Sequence, residues 1–200
     1  MTARLTLICH GSTDAVRAAT FPRDEPLDHR GKSGVTELAR HLPSVDCCWT
    51  SPELRTRQTA EALGLSANIQ PMLRDCDYGR WAGKKYSEIV ADEPDAANYW
   101  LHDPAAAPHG GESFLDLTRR VANWLADEKA RDQRSIAITH PTIIRATIVH
   151  VMDAPLQSFW RVDIGPLSVT RLSSNGGVWK ISSSGCVLRD ARCFISSAAI

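Results

Sequence analysis

The chain has 200 residues, with 23 Lys or Arg balanced by 23 Asp or Glu, so its formal net charge at pH 7 is zero. That balance excludes the basic face that nucleic acid or an anionic membrane surface demands, and it makes any anion-binding site local. The length suits one domain, and at this size a chain buries roughly 70% of its unfolded surface. The early apolar run is too short for a secretion signal, and no stretch approaches the ~20 apolar residues of a membrane helix, so a cytoplasmic protein is expected.

In chain order, Arg4 to Cys9 is a β-rich run that ends at His10-Gly11-Ser12-Thr13, a polar cluster suited to turning and opening a helix. A strand thus delivers His10 to a sheet edge. After a segment broken by Pro22 and Pro26, Val35, Leu38 and Leu42 recur at helical spacing, and Val45 to Thr50 reads as a buried strand. Ser51-Pro52 then opens a helix with Arg55 in its first turn, Leu54, Ala62 and Leu63 being the apolar residues expected inside. Asp92 to Gly111 holds three prolines and two adjacent glycines without sustained periodicity, the pattern of a surface excursion or lid, in which Tyr99, Trp100 and His102 either pack a helix, the favoured reading, or cover a ligand. Phe114, Leu117, Val121 and Leu125 mark an amphipathic helix, Ser135 to Thr139 a short strand, and Pro141 to Met152 a further helix. Phe159 to Ile164, Ser168 to Leu172 and Val178 to Ser182 read as strands, the last two joined by Asn175-Gly176, a hairpin signal.

The alternation implies an α/β fold, a three-layer α/β/α sandwich around a mostly parallel mixed sheet, in which ligands favour the carboxyl ends of the strands. His10 and His140 each follow a strand and precede a helix there. Cys9, Cys47, Cys48, Cys76, Cys186 and Cys193 accompany no export signal and no zinc-type spacing, so reduced thiols, no metal and no cofactor are expected. Residues 1–184 read as one domain and 185–200 as a C-terminal tail; a homodimer is left open.

Leu5-Thr6-Leu7-Ile8-Cys9-His10-Gly11-Ser12-Thr13 resembles the signature of the histidine phosphatase superfamily, also called phosphoglycerate mutase-like, in which arginine-histidine-glycine is followed two residues later by threonine. Ser51-Pro52-Glu53-Leu54-Arg55, continuing to Thr59-Ala60, is similar to that family's serine-proline-x-x-arginine helix. Arg74 to Gly83 resembles the segment that carries the family's proton donor, four residues before the first glycine, where Asp75 stands. Thr139-His140-Pro141 is similar to the strand end that supplies the second histidine, and Gly110-Gly111-Glu112-Ser113 matches a further element. The resemblance implies phosphoryl transfer through a phosphohistidine on His10, with Asp75 as acid and then base. It also implies that Arg55, His140, Gly11 and Thr13 hold the substrate, a small phosphorylated metabolite such as a sugar phosphate, a phosphoglycerate-like acid or α-ribazole phosphate. Glycine-x-tryptophan-x-glycine at Gly79 to Gly83 sides with the phosphatases over the mutases.

One position departs from the pattern: Cys9 stands where the resemblance puts an arginine, replacing a fork of donors by one weak donor. Arg17 and Arg23, in the following loop, are the candidate substitutes. The alternatives to hydrolysis are a non-catalytic phosphate-ester binder (a pseudophosphatase) and a mutase-type phosphotransferase.

Overall fold

The computed structural model describes residues 2–39, 42–175 and 177–187. β1 (Thr2–Cys9), β2 (Cys47–Thr50), β3 (Asn68–Ile69), β4 (Arg134–Thr139), β5 (Ser168–Asn175) and β6 (Trp179–Val187) form one sheet in the order β3-β2-β4-β1-β5-β6. The β3-β2-β4-β1 half is parallel, and β5 and β6 close the sheet antiparallel. The helices are α1 (Asp14–Arg17), α2 (His29–Ala39), α3 (Leu54–Ala62), α4 (Tyr86–Asp92), α5 (Pro94–His102), α6 (Phe114–Ala130) and α7 (Pro141–Val151).

Alternation along β1 builds the two outer layers. Leu5, Leu7 and Cys9 face a core completed by Leu117, Val121 and Leu125 of α6 and by Ile143 and Ile144 of α7. Ile8 faces the opposite core, with Val35 and Leu38 of α2, Ala60 of α3, and Ile136 and Ile138 of β4. Each fully buried leucine or isoleucine contributes roughly 1.5–3 kcal/mol, and a slip of one residue would turn both sets to the wrong side, so the register of β1 is strongly specified. Among the described residues no helix is long and apolar enough to cross a membrane.

Three expected elements differ. The inward face of α3 is Arg55, Thr56, Thr59 and Ala60, while Leu54 is half-buried and Ala62 exposed. The first turns of α3 face a polar cleft instead of a core, so an apolar count picks the wrong stripe; Leu63, just past the helix, is buried as expected. Leu156–Arg161 is a 3-10 helix where a strand was read. Its Phe159 is drawn into a ring cluster, 4.5 Å from Phe114, and tertiary packing overrides the β-type composition. The segment after Asp92 contains α5, with Pro94 in its first turn and Ala97 and Trp100 buried one turn apart. The strand pair β5 and β6 forms as the hairpin signal indicated, with Gly176 outside the described residues. β6 runs through Val187, and Leu188–Ile200, with Cys193, lies outside the described residues.

Helix α2 presses on the loop that follows His10. A Cβ on Gly31 would lie 2.3 Å from the Ser12 carbonyl oxygen, and Asp28 accepts from both the Gly31 amide and the Ser12 hydroxyl, at 2.7 and 2.9 Å. Gly31→Ala is expected to lower stability by about 1–3 kcal/mol through overpacking, read as a lower urea midpoint with an unchanged slope.

Candidate active site

The parallel strands β1 and β4 end level. Cys9 pairs with Thr139 and Thr50 with Ile138; the His10 amide donates to the Thr139 carbonyl at 2.9 Å and the Ser51 amide to the Ile138 carbonyl at 3.1 Å. His10 and His140 therefore leave adjacent strands at the same height, and Ser51 leaves its strand one position lower. Their side chains share one cleft at the carboxyl ends of the sheet. The His10 and His140 ring centroids are 5.2 Å apart.

The His10 Nδ1 lies 2.7 Å from its neighbour's carbonyl, Gly11 O. A carbonyl only accepts, so Nδ1 carries the proton and Nε2 presents a lone pair. The Arg55 Nε–H donates to that Nε2 at 3.3 Å. Burial holds His10 well below the ordinary histidine range, and the His140 ring and the Arg55 guanidinium act in the same direction, so the imidazole is neutral. The Gly11 amide donates to Thr59 Oγ1 at 3.0 Å, which ties the loop to α3. Thr13, fully buried, caps α1 and donates to Glu25.

Arg55 is buried, at 1% exposure, and spans the cleft. Its Nη2 donates to Asp75 Oδ2 at 2.7 Å and its Nη1 to the Arg23 carbonyl at 2.6 Å, with Glu25 Oε1 3.7 Å away. Asp75 Oδ1 accepts from Thr142 Oγ1 at 2.6 Å and from the Cys76 amide at 2.8 Å. Burial alone would raise the Asp75 carboxyl, but His140, Arg55 and these two donors outweigh it and hold the group below its usual range. His140 Nε2 lies 2.8 Å from Ser51 Oγ and 3.0 Å from Glu53 Oε2. Its buried Nδ1 stands 3.4 Å from Asp75 Oδ2 and completes no hydrogen bond. The Glu53 carboxyl, despite burial, is driven far down by the hydrogen bond and charge of that ring.

The structure brings His10, Arg55, Asp75 and His140 together, with Gly11 and Thr13 in the loop beside them. Arg17 directs its guanidinium to Asp14 and Asp28, and the Arg23 side chain donates to the Ala82 carbonyl, so the guanidinium at His10 is that of Arg55. Cys9 is fully buried, and burial with the nearby Asp75 charge pushes its thiol up to about 12, which leaves it a neutral S–H.

A model of the histidine phosphatase superfamily (branch 1) matches residues 5–186. The chain belongs to this superfamily. Its curated relatives include a bifunctional protein of Mycobacterium tuberculosis, 28% identical over 192 residues, a match covering 86% of this chain and 51% of that one. The chain thus spans about half the length of that relative. A glucosyl-3-phosphoglycerate phosphatase of the same organism is 27% identical over 191 residues, with 86% of each chain covered. Among solved structures, a phosphoserine phosphatase variant from Entamoeba histolytica in complex with phosphoserine shares the fold, with a TM-score of 0.84, 17% identity, and 93% of this chain and 98% of that one covered.

Around this site the sequence reading missed Glu53, Thr142 and Arg120. Glu53 reaches both His140 and the Asp75 amide, the latter at 3.0 Å. Arg120 forms a two-bond fork with Glu112 at 2.8 and 2.6 Å, both side chains buried, and donates to the carbonyls of Met72, Arg74 and Asp75. It holds the backbone that presents Asp75. A Cβ on Gly111 would lie 2.0 Å from the Asp77 carbonyl oxygen, so the loop carrying Glu112 locks against the loop that follows Asp75. The hint available from sequence was Arg120 eight residues after Glu112, on the helix that follows it.

Arg120→Met leaves the largely buried Glu112 carboxylate with only the exposed Arg74, at 3.3 Å, as a cationic partner, and a loss of about 3 kcal/mol is expected in urea unfolding, part of it recovered by adding Glu112→Leu. A second expectation concerns acid. His10, Asp75 and Glu53 all bind protons less readily when folded, so their contribution is complete above the unfolded values and is lost as pH falls. Unfolding free energy should therefore decline below about pH 6.5 as His10 is linked and more steeply below about pH 4 as the carboxylates join. Glu53→Gln should flatten the lower limb in urea titrations at stepped pH.

Proposed function

We propose that this chain hydrolyses a small phosphomonoester through a phosphohistidine on His10. The observation that carries the reading is the His10 tautomer: a neutral ring, its Nδ1–H pinned to the Gly11 carbonyl and its Nε2 lone pair turned toward Arg55, whose Nη2 holds Asp75. That is the form an in-line nucleophile at phosphorus requires. The superfamily membership and the phosphatase names of the relatives point the same way.

In the proposed sequence, the Nε2 lone pair forms a P–N bond as the ester P–O bond breaks, and the departing oxygen takes the proton of the Asp75 carboxyl. The Asp75 carboxylate then takes a proton from water, the resulting hydroxide attacks phosphorus, and the P–N bond returns its electron pair to His10. Arg55 exchanges its contact with Asp75 for phosphoryl oxygens, and the His140 Nδ1 donates to another. Losing the guanidinium while gaining a dianion beside it raises Asp75 toward the protonated form the first step needs. Gly11 and Thr13 fix the loop that aims His10. Hydrolysis is favoured over mutase transfer on the motif from Gly79 to Gly83.

By the resemblance, Cys9 stands where the family signature places an arginine, and Arg55 has the carboxylates of Asp75 and Glu25 beside it, with Glu53 on the Asp75 amide. Such a site binds a dianion less tightly than one with a second guanidinium, and turnover is expected to rise as pH falls from 8 to 5, where Asp75, raised by the bound dianion and by the loss of its contact with Arg55, takes up its proton.

The test is release of phosphate from para-nitrophenyl phosphate and a panel of small phosphomonoesters across that range. His10→Ala is expected to remove turnover by about 10³-fold or more. Cys9→Arg restores a charge-assisted contact of about 1.5–3 kcal/mol, so kcat/KM should rise roughly ten- to a hundredfold in the folded variant. Phosphate esters that bind without His10-dependent turnover would replace this reading by the pseudophosphatase one, for which the neutral Cys9 thiol is the argument.

A further inference from the structure

Thr142 has two neighbours of different kinds. Its hydroxyl is bonded to Asp75, and it also lines a separate cavity of about 400 Å³. That volume is within the range of small-molecule sites. The cavity wall is aromatic: Phe21, Tyr78, Trp100 and Trp160 line it, with Trp100 centred 4.7 Å from Trp160 and 5.5 Å from Phe21, in edge-on or steeply tilted contacts. Flat walls of this kind accept a planar guest on their faces.

The cavity holds one cation. Arg145 follows Thr142 by three residues on α7, so both side chains leave the same face of the helix, with about 4.5 Å of rise between them. Arg145 is held from behind: its Nε donates to the Val162 carbonyl at 2.8 Å, and its guanidinium carbon stands 5.8 Å from the Phe159 ring centre. Its acidic neighbour, Asp163, is fully exposed and 4.0 Å from Nη2, a separation at which a surface pair contributes little. A guanidinium fixed at its stem and weakly paired at its fork, inside an apolar wall, is arranged to meet a planar anion from outside the chain.

Resting on the phosphomonoesterase reading above, we propose that this cavity takes the alcohol part of the substrate and that this part is a planar apolar ring bearing a carboxylate, which Arg145 receives. With the phosphoryl group at His10 and the ester oxygen near Asp75, the ring lies past Thr142 between Phe21 and Trp160, and the carboxylate ends at the Arg145 fork. Selectivity then comes from a contact made outside the reacting group, and it shows as a preference among esters of similar leaving-group basicity.

The probes are 4-carboxyphenyl phosphate and phenyl phosphate, followed by phosphate release for turnover and by calorimetry for binding to the His10→Ala protein. The unsubstituted enzyme is expected to favour the carboxylated ester by about tenfold or more in kcat/KM, the size of one charge-assisted contact, and Arg145→Gln should bring that ratio close to one. Dissociation constants measured on the His10→Ala background should show the same ratio and the same collapse. A ratio near one in the unsubstituted enzyme, or one that survives Arg145→Gln, overturns the proposal. So does an equal fall for both esters, which would place Arg145 on the phosphoryl group. Should Arg145→Gln not fold, Trp160→Ala tests the wall: the affinity of both aryl esters, measured against methyl phosphate, is expected to drop severalfold, and no change overturns the ring site. His10-dependent turnover without carboxylate preference would sink this assignment and spare the phosphatase reading. Carboxylate-dependent binding through Arg145 with no turnover of any ester would do the reverse.

Discussion

The bond between the His10 amide and the Thr139 carbonyl, which continues the pairing of β1 with β4 for one more residue, sets the positions of the other groups. It brings two strands far apart in sequence to the same height, and each then releases an imidazole into the same space. With β2 ending one position lower, α3 starts close enough for Arg55 to cross from one side of the cleft to the other. The sheet acts as a level bench, and the buried alternation of β1 keeps it from shifting by a residue.

On that bench the groups restrain each other by charge. Arg55 is bound to a carboxylate, a backbone carbonyl and the His10 Nε2 lone pair at once, so its position is over-determined. Asp75 accepts from Thr142, from Arg55 and from its neighbour's amide, and the Arg120 and Glu112 pair grips the backbone beneath it. Such preorganisation spares the reaction the cost of arranging dipoles as charge moves. In the proposed reaction a carboxylate this well satisfied gives up its ionised form only when a dianion competes for its partners.

The architecture was largely legible from periodicity, because a parallel sheet covered on both faces leaves continuous apolar strands and one-sided helices. The placement of His10, Arg55 and His140 was legible for a related reason: strand ends and first helical turns are where such folds converge. Where packing between distant segments decided the outcome, the sequence carried less. The buried stripe of α3 is polar because it faces the cleft. Leu156–Arg161 winds instead of extending because Phe159 is pulled against Phe114. Glu53, Thr142 and Arg120 gain their roles through partners 22, 67 and 45 residues away in the chain, which no local window links.

The order of synthesis runs against the order of pairing. β1 is made before both of its neighbours: Leu5 must wait for Ser135 on one edge and Leu172 on the other. Until then a strand bearing Leu5, Leu7 and Ile8 has open edges, and the cover of Leu5 and Leu7 waits for α6 and α7. The element that carries His10 is thus an adhesive part of the growing chain. Holding it apart from other chains during translation is a task for chaperones, and slower elongation beyond β4 would lengthen the interval in which it can aggregate.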